Sequence, residues 1–486
     1  MPYADLRDYL AVLEKEGELV RVKAEVDPNL EITEILNRLL KQGGPAVIFE
    51  NVKGHSIPVV ANLYGTLKRV TMGLETDEEG LREIGNFLAY LQHPDPPSGL
   101  MEAIKKIPFF AKVMSLRPKT VNSGPCQEVV MEGADVDLGS LPILKCWPED
   151  AAPLITWPLV ITKPPDGGPY NVGVYRMQVL GKDQAILRWL SQRGGAKHYR
   201  AWMREGRPMP VAVAIGNEPA TTIAAVTPLP EGISEFQFAC LLRKKSIELV
   251  RCRTIDLEVP ATSEIILEGE VMPNSLASEG PYGDHTGYYN PEEPYPIFKI
   301  KSITHRKNPL YLTTITGRPP REDAIIGIAL NNIFVPMLRK NFPEVVDFHL
   351  PMEAISYRIA VVSIDKDYPG QAKRVMMGLW GFLPQFLYVK YIIVVDRDIN
   401  VKAWDDVIWA LATNVDPGRD VTIIENTPID HLDFASPLAG LGSKMGIDAT
   451  SKIYPEASRK WGRKIVMTRE IVDKVDSRWE EYGIRR

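Results

Sequence analysis

The sequence predicts an α+β protein in which a β-rich centre stands between two α/β units. Three observations predict it. Helical and strand-like patterns alternate over the first hundred or so residues; short strands separated by turn residues fill 130–316; and helices with continuous apolar runs return after Arg318-Pro319-Pro320. At about 150 residues per domain, the 486 residues suit three domains, with boundaries placed at 1–120, 121–317 and 318–486.

In the first unit Leu6, Tyr9, Leu10 and Leu13 recur at helical spacing, as do Ile32, Ile35, Leu36, Leu39 and Leu40; β-type runs follow at 46–49 and 58–61. The proline-rich stretch 93–99 reads as a surface loop, because proline removes a donor and restricts its predecessor. In the centre, 159–162, 172–180 and 185–190 are joined by turn chemistry and read as a meander of hairpins. Further strands are expected at 211–215, 265–271, 297–303 and 310–315, with one helix at 233–242, which together indicate a barrel or a sandwich. The last unit carries helical segments at 324–339, 371–382 and 401–412. Between them 359–364, apart from Ser363, and 391–395 are continuous apolar runs, as strands covered on both faces are.

Composition narrows the function. Hydrophobic residues make up 45% and charged residues 24%, which excludes a disordered chain. Lysine and arginine number 57 against 62 acids, so no global basic field exists to hold nucleic acid, and a small-molecule partner is expected. The cysteines Cys126, Cys146, Cys240 and Cys252 lack CxxC spacing and read as reduced thiols. The N-terminal residues show no basic stretch leading into an apolar one, and no apolar run is long enough to span a bilayer. A cytoplasmic location is the expectation. There is no HExxH, no phosphate-loop lysine motif and no GxSxG elbow, so the commonest hydrolytic routes lack support.

Chemistry concentrates in a few segments. Glu279 and Asp284 enclose Gly-Pro-Tyr-Gly, which folds back so that both acids could face one site. Two close carboxylates cannot both ionise freely; one then holds a proton, while a nearby arginine keeps the other ionised. The same segment also reads as a turn whose acids accept backbone N–H groups. Asn171 to Arg176 and Arg188 to Gly195 form a second cluster, in which Arg188, Arg193 and the glycines could hold a phosphate or simply be solvated. Glu235 lies about one turn into the expected helix, near its positive end. Lys390 precedes the apolar run 391–395 and carries no signal alone.

Longer strings add a resemblance. Tyr3-Ala4-Asp5-Leu6-Arg7-Asp8-Tyr9-Leu10, Cys146-Trp147-Pro148-Glu149-Asp150, Glu279 to Asn290, Thr316-Gly317-Arg318-Pro319-Pro320, Lys373-Arg374-Val375-Met376-Met377-Gly378 and Glu425-Asn426-Thr427-Pro428-Ile429-Asp430 occur in one order along nearly the whole chain. Together they resemble the UbiD family of reversible aromatic-acid decarboxylases. The resemblance implies a central split-β-barrel-like flavin-binding domain flanked by α/β units, the C-terminal one serving oligomerisation into dimers or hexamers. It implies prenylated FMN as cofactor, supplied by a flavin prenyltransferase, with Mn²⁺ or Mg²⁺ at its phosphate and K⁺ as a further ion. By the same resemblance Asn171 and Glu235 are metal ligands; Val174, Tyr175, Arg176, Arg188, Trp189, Leu190, Arg193, Gly194 and Lys390 bind the cofactor; and Glu279, Arg176 and Asp284 are catalytic, Asp284 as proton donor.

The implied substrate is 3-polyprenyl-4-hydroxybenzoate of ubiquinone biosynthesis, with protocatechuate, hydroxybenzoate or a polycyclic acid as alternatives. A lipid-tailed substrate would bring the chain to a membrane surface. One departure stands out: Gln192 occupies the position of the family's metal-binding histidine, and His198 would replace it only if the loop folds back. Gln192 alone would favour a non-catalytic subunit of a carboxylase complex; intact Glu279, Arg176 and Asp284 argue against it.

Overall fold

The computed structural model describes residues 3–92, 116–190, 193–227, 229, 234–355, 357–382 and 388–484. The proline-rich loop expected at 93–99 and Gln192 lie outside the described residues.

Helix Leu6–Lys15 begins at Asp5, whose side chain accepts the Asp8 N–H, and buries the four residues that set its period. It shares one apolar core with helix Glu31–Lys41 and with a four-stranded sheet ordered Leu19–Val26, Ala46–Val52, Val59–Ala61, Tyr311–Leu312. The run at 310–315 therefore leaves the central sheet, where it was expected, and joins the N-terminal one. Buried backbone donors need partners, and the open edge of Val59–Ala61 supplies them: Tyr311 N–H donates to the Pro58 carbonyl and Thr313 N–H to that of Val60, both at 2.9 Å.

The central sheet is ordered Leu154–Ile155, Met177–Gly181, Gln184–Leu187, Glu293–His305, Ile265–Glu279, Met209–Ile215, Leu159–Thr162, Asn171–Val174, with Val129–Glu132 also on Glu293–His305. Its pairings are antiparallel. The stretch read as one strand, 172–180, is two, and they lie toward opposite ends of the sheet. Laid flat, Met177–Gly181 and Asn171–Val174 would be six strand spacings, about 29 Å, apart. Yet Tyr175 and Arg176 alone join them, and the three Cα steps from Val174 to Met177 reach about 11 Å at most. The sheet must curl until its ends nearly meet, as in a barrel, although among the described residues no ladder closes the seam. Arg176 sits at that seam.

Among the described residues three helices, where one was expected, accompany this sheet: Gly194–Arg204, Pro219–Val226 and Glu235–Arg243. A double glycine opens the first and a proline the second, residues that discourage a helix reading except at a first turn. In the C-terminal unit five strands run in the order Val345–His349, Ile359–Ile364, Tyr391–Asp396, Leu441–Ala449, Val421–Pro428, the inner three parallel and both edges antiparallel. Helix Gln371–Phe382 packs on Val362, Ile392 and Val394, while Trp404–Asn414 packs on Val361, Ile393 and Val395. Cover on both faces explains the absence of polar alternation. Among the described residues no helix is long and apolar enough to cross a membrane.

Candidate active site

The sheet's long ribbon, Ile265–Glu279 paired with Glu293–His305, ends in a tip that carries both acids. Glu279 is its last residue; the chain then turns at Gly280, whose φ of +103° suits glycine, and Tyr282–Gly283 pairs with Tyr289–Asn290. This fold-back presents Glu279 and Asp284 to the seam. Arg176 Nε donates to Glu279 Oε1 at 2.7 Å and Nη2 to Oε2 at 3.1 Å, while Nη1 donates to Asp284 Oδ2. Its guanidinium lies 4.5 Å from the centroid of the buried Tyr282 ring. Arg188, whose N–H is bonded to the Arg176 carbonyl, adds contacts to Asp284 at 3.3 Å, Glu293 at 3.5 Å and Glu279 at 3.8 Å. Two arginines thus serve three acids in a buried site, where an unpaired charge would be costly.

Burial alone would raise the Asp284 carboxyl. Arg176, His285 and Arg188 outweigh it and hold Asp284 well below the usual carboxylate range. The acid expected to keep a proton is therefore ionised, because the site holds two arginines where the spacing argument assumed one.

A chain of contacts continues into the C-terminal unit. His285 Nδ1 lies 2.8 Å from Asp284 Oδ1, Nε2 lies 3.0 Å from the Tyr357 hydroxyl, and that hydroxyl donates to Asp430 Oδ2 at 3.0 Å. Arg358 holds Asp430 and Asp433 at 3.0 Å each. Burial would lower the His285 pKa; the Asp284 and Asp430 carboxylates prevail and push it up to about 10.

These shifts make opposite contributions to stability. That of Asp284 is present above the unfolded carboxylate value of about 3.9 and is lost as pH falls through its depressed value; that of His285 is complete below about 6.5 and is lost as pH rises toward its raised one. Denaturant unfolding across pH is expected to show this contribution at its greatest between about pH 4 and 6.5, and Asp284→Asn to flatten both limbs. A wild-type profile matching that of the variant would contradict the pairing.

Several residues expected to hold the cofactor gather beside the seam. Asn171 Nδ2 lies 3.4 Å from the Tyr175 hydroxyl, which also accepts the Gly195 N–H at 3.3 Å; Tyr175 meets Trp189 edge-on. Arg193 occupies the N-cap position of helix Gly194–Arg204 with no side-chain cap bond, so the positive end of a helix and a guanidinium lie together, an arrangement that suits a phosphate. A Cβ on Gly194 would fall 1.8 Å from Asn171 Oδ1. Gly194→Ala must therefore displace Asn171, and loss of both flavin and metal is the expected outcome, read from flavin absorbance and metal content.

Glu235 is the first residue of its helix, with Ser234 as cap, not one turn inside as its spacing suggested. Its Oε2 accepts the Val172 N–H at 3.1 Å, next to Asn171. Burial pushes its carboxyl up to about 7, and among the described residues no cation pairs with it. A hard divalent ion would supply the missing charge, and a carboxylate with an amide oxygen suits one. Among the described residues no three His, Cys, Asp or Glu side chains form a metal cluster, so an ion held here would need further oxygens, such as a phosphate's or an amide's. His198 lies one turn after Gly194, with Nδ1 2.9 Å from Thr162, the ladder partner of Asn171.

Lys390 meets the site from the C-terminal unit, with Nζ 2.9 Å from Asp433. Val174 lies at the seam, while Trp189 and Leu190 line a cavity of about 750 Å³ with Tyr295, Tyr388, Ile429 and His431. A second cavity, about 510 Å³, is lined by Asp284, Trp147, Arg318, Arg321 and Tyr289. Arg188 stands between them, bonded to Glu293 on the first and Asp284 on the second.

Family models match three successive segments: the 3-octaprenyl-4-hydroxybenzoate carboxy-lyase N-terminal domain at 10–88, the Rift-related domain at 119–319 and the C-terminal domain at 324–449. The chain belongs to the UbiD family. It is an aromatic-acid carboxy-lyase of that family. The UbiD-class enzyme HmfF from Pelotomaculum thermopropionicum, in complex with prFMN, is 32% identical over 96% of this chain and 97% of its own, with a TM-score of 0.80. Vanillic acid decarboxylase of Sedimentibacter hydroxybenzoicus, in closed form, is 30% identical over 99% of each chain, with a TM-score of 0.85. The 3,4-dihydroxybenzoic acid decarboxylase of Klebsiella pneumoniae, 21% identical over 97% of this chain and 99% of its own, shares the fold at a TM-score of 0.78.

Within this UbiD chain, single-residue reasoning missed His285 as a partner of Asp284, and missed Glu293, Tyr357, Arg358 and Asp430 altogether. Asp430 closes one of the strings that carried the resemblance, a signal present but without a role. Nothing around Tyr357 marks it.

Proposed function

We propose that this chain reversibly decarboxylates 3-polyprenyl-4-hydroxybenzoate in ubiquinone biosynthesis, using prenylated FMN anchored through its phosphate by Mn²⁺ or Mg²⁺, with K⁺ as a further ion. The observation that carries the reading is the Arg176 seam, which sets a buried Glu-Arg-Asp network beside the Tyr175–Gly194 cradle. When bound, the flavin supplies the electron sink for the carbon that loses carbon dioxide. Arg176 and Glu279 orient the substrate carboxylate, and Asp284 delivers the proton that replaces it. Asn171, Glu235 and Gln192 hold the metal; Val174, Tyr175, Arg188, Trp189, Leu190, Arg193, Gly194 and Lys390 hold the cofactor. The larger cavity supports the tailed substrate, since its wall of Pro294, Pro296 and Leu276 leads to the surface, where Leu276 is half exposed. Such a substrate would bring the enzyme to a membrane surface.

A second reading, a smaller acid such as protocatechuate or hydroxybenzoate, is favoured by the 30% identity to the vanillic acid decarboxylase. Protein made alongside a flavin prenyltransferase and offered polyprenyl-hydroxybenzoate, protocatechuate and vanillate decides between them by carbon dioxide release. Bound flavin without turnover of any acid would sink both. Manganese titration of wild type against Gln192→His is expected to show tighter binding by the variant, imidazole being the stronger ligand; equal affinity would remove position 192 from the ligand set.

We also assign self-association to the C-terminal unit. Helix Arg469–Ser477 has no buried residue, and Ile465, Val466 and Met467 before it are exposed. Such apolar surface supports a homo-oligomer, dimer or hexamer.

A further inference from the structure

We infer that His285, Tyr357 and Asp430 form a proton relay that restores Asp284 after each turnover, and that the relay is complete only while the C-terminal unit lies against the central sheet. The inference rests on the decarboxylase reading. In that reaction R–CO₂⁻ and one proton give R–H and CO₂: the C–C bond breaks, its electron pair takes the proton from Asp284, and the resulting carboxylate must regain one.

The partners of Asp284 leave one route. Its Oδ2 faces Arg176 and Arg188, and guanidinium groups do not give up protons in proteins. Its Oδ1 accepts the backbone N–H of His285 at 2.7 Å, likewise no proton source, and lies 2.8 Å from Nδ1 of the same residue. The imidazole is thus the only described hydrogen-bond partner of this carboxylate that can hand over a proton. Its other nitrogen faces Tyr357 at 3.0 Å and Asp430 at 3.5 Å; Asp430 is buried and Tyr357 is half-buried, so Tyr357 is the end that meets solvent. The imidazolium gives its Nδ1 proton to Asp284, which leaves the Nε2–H form of the ring; a turn of the ring then brings the bare nitrogen to that end, where it is protonated again.

The charges around the ring suit an imidazolium at rest: Asp284, Asp430 and Asp323 face it, with Tyr357 the neutral neighbour and Arg176, Arg188 and Arg358 behind the carboxylates. Substrate binding supplies the trigger. An anionic carboxylate at Arg176 competes for the guanidinium that keeps Asp284 ionised, raises the proton affinity of Asp284 and draws the proton across from Nδ1. Asp284 and His285 belong to the central ribbon, whereas Tyr357 and Asp430 belong to the C-terminal unit, so separating the two units would interrupt proton supply.

The test uses the flavin-loaded enzyme and NMR of its imidazole nitrogens. His285→Gln is expected to slow carbon dioxide release about 100-fold without loss of flavin, to enlarge the solvent isotope effect, and to be rescued by added imidazole; Tyr357→Phe should enlarge the isotope effect more modestly. Wild-type turnover in His285→Gln, or slow turnover that imidazole leaves unchanged, would overturn the relay. The His285 titration midpoint, followed without substrate, should fall in Asp284→Asn and in Asp430→Asn, and an unmoved midpoint in both overturns the relay on its own. Absence of carbon dioxide release from wild type on every acid offered, with the midpoint shifting as described, would instead refute the decarboxylase reading.

Discussion

Asp284→Asn is expected to lower carbon dioxide release by about a thousandfold or more while flavin content stays at the wild-type level. A positioned general acid contributes roughly 10²- to 10⁴-fold, and asparagine keeps the shape of aspartate without an acidic proton. The substitution leaves the rest of the network in place, because Arg176 retains both of its bonds to Glu279. It also leaves the cradle alone: none of the contacts of Tyr175, Trp189, Gly194 or Gly195 described above passes through Asp284. Near-normal turnover would remove Asp284 from the role of proton donor, and loss of flavin would show that it supports the cradle instead.

Arg176→Gln should be the most destabilising substitution in the site. Glu279 has no solvent exposure and Asp284 5%, so removing their shared cation leaves buried carboxylates short of a partner, a change that costs about 3–5 kcal/mol. Two consequences follow on different axes. Denaturant unfolding should show the loss of stability, and it should shrink as pH falls and the carboxylates protonate. The Asp284 carboxyl should move up, because Arg176 is the largest of the charges that depress it. Arg176→Lys restores one charge but not the fork that reaches both acids, so it should recover part of the stability and little of the activity. Equal stability of the glutamine variant and wild type would mean that Arg188 alone neutralises the pair.

Much of the architecture was legible because it follows from local periodicity. Leu6, Tyr9, Leu10 and Leu13 mark a helix and are all buried in one; the apolar runs at 359–364, broken only by Ser363, and at 391–395 mark strands with helices on both faces. The reading failed where backbone partners lie far away in sequence. Residues 172–180 alternate like one strand, and nothing local shows that Tyr175 and Arg176 cross a seam between opposite ends of a sheet. The 310–315 run looks like its neighbours, yet it pairs with Val59–Ala61, some 250 residues earlier. Helix Gly194–Arg204 was hidden by its opening glycines, which serve its N-terminus rather than break it.

For the site, the sequence by itself determined which acids, arginines and glycines were available, and the order of several long strings tied them to one family of decarboxylases. It also isolated Gln192 as the departure. Only the tertiary structure decided their charge states. Whether Glu279 and Asp284 crowd each other or share cations depends on Arg188 and Arg176 arriving from separate strands, and whether Asp284 can be resupplied with protons depends on Tyr357 and Asp430 arriving from another sheet. Electrostatic energy in a buried site is set by distances of a few ångströms, and spacing along the chain does not determine those distances.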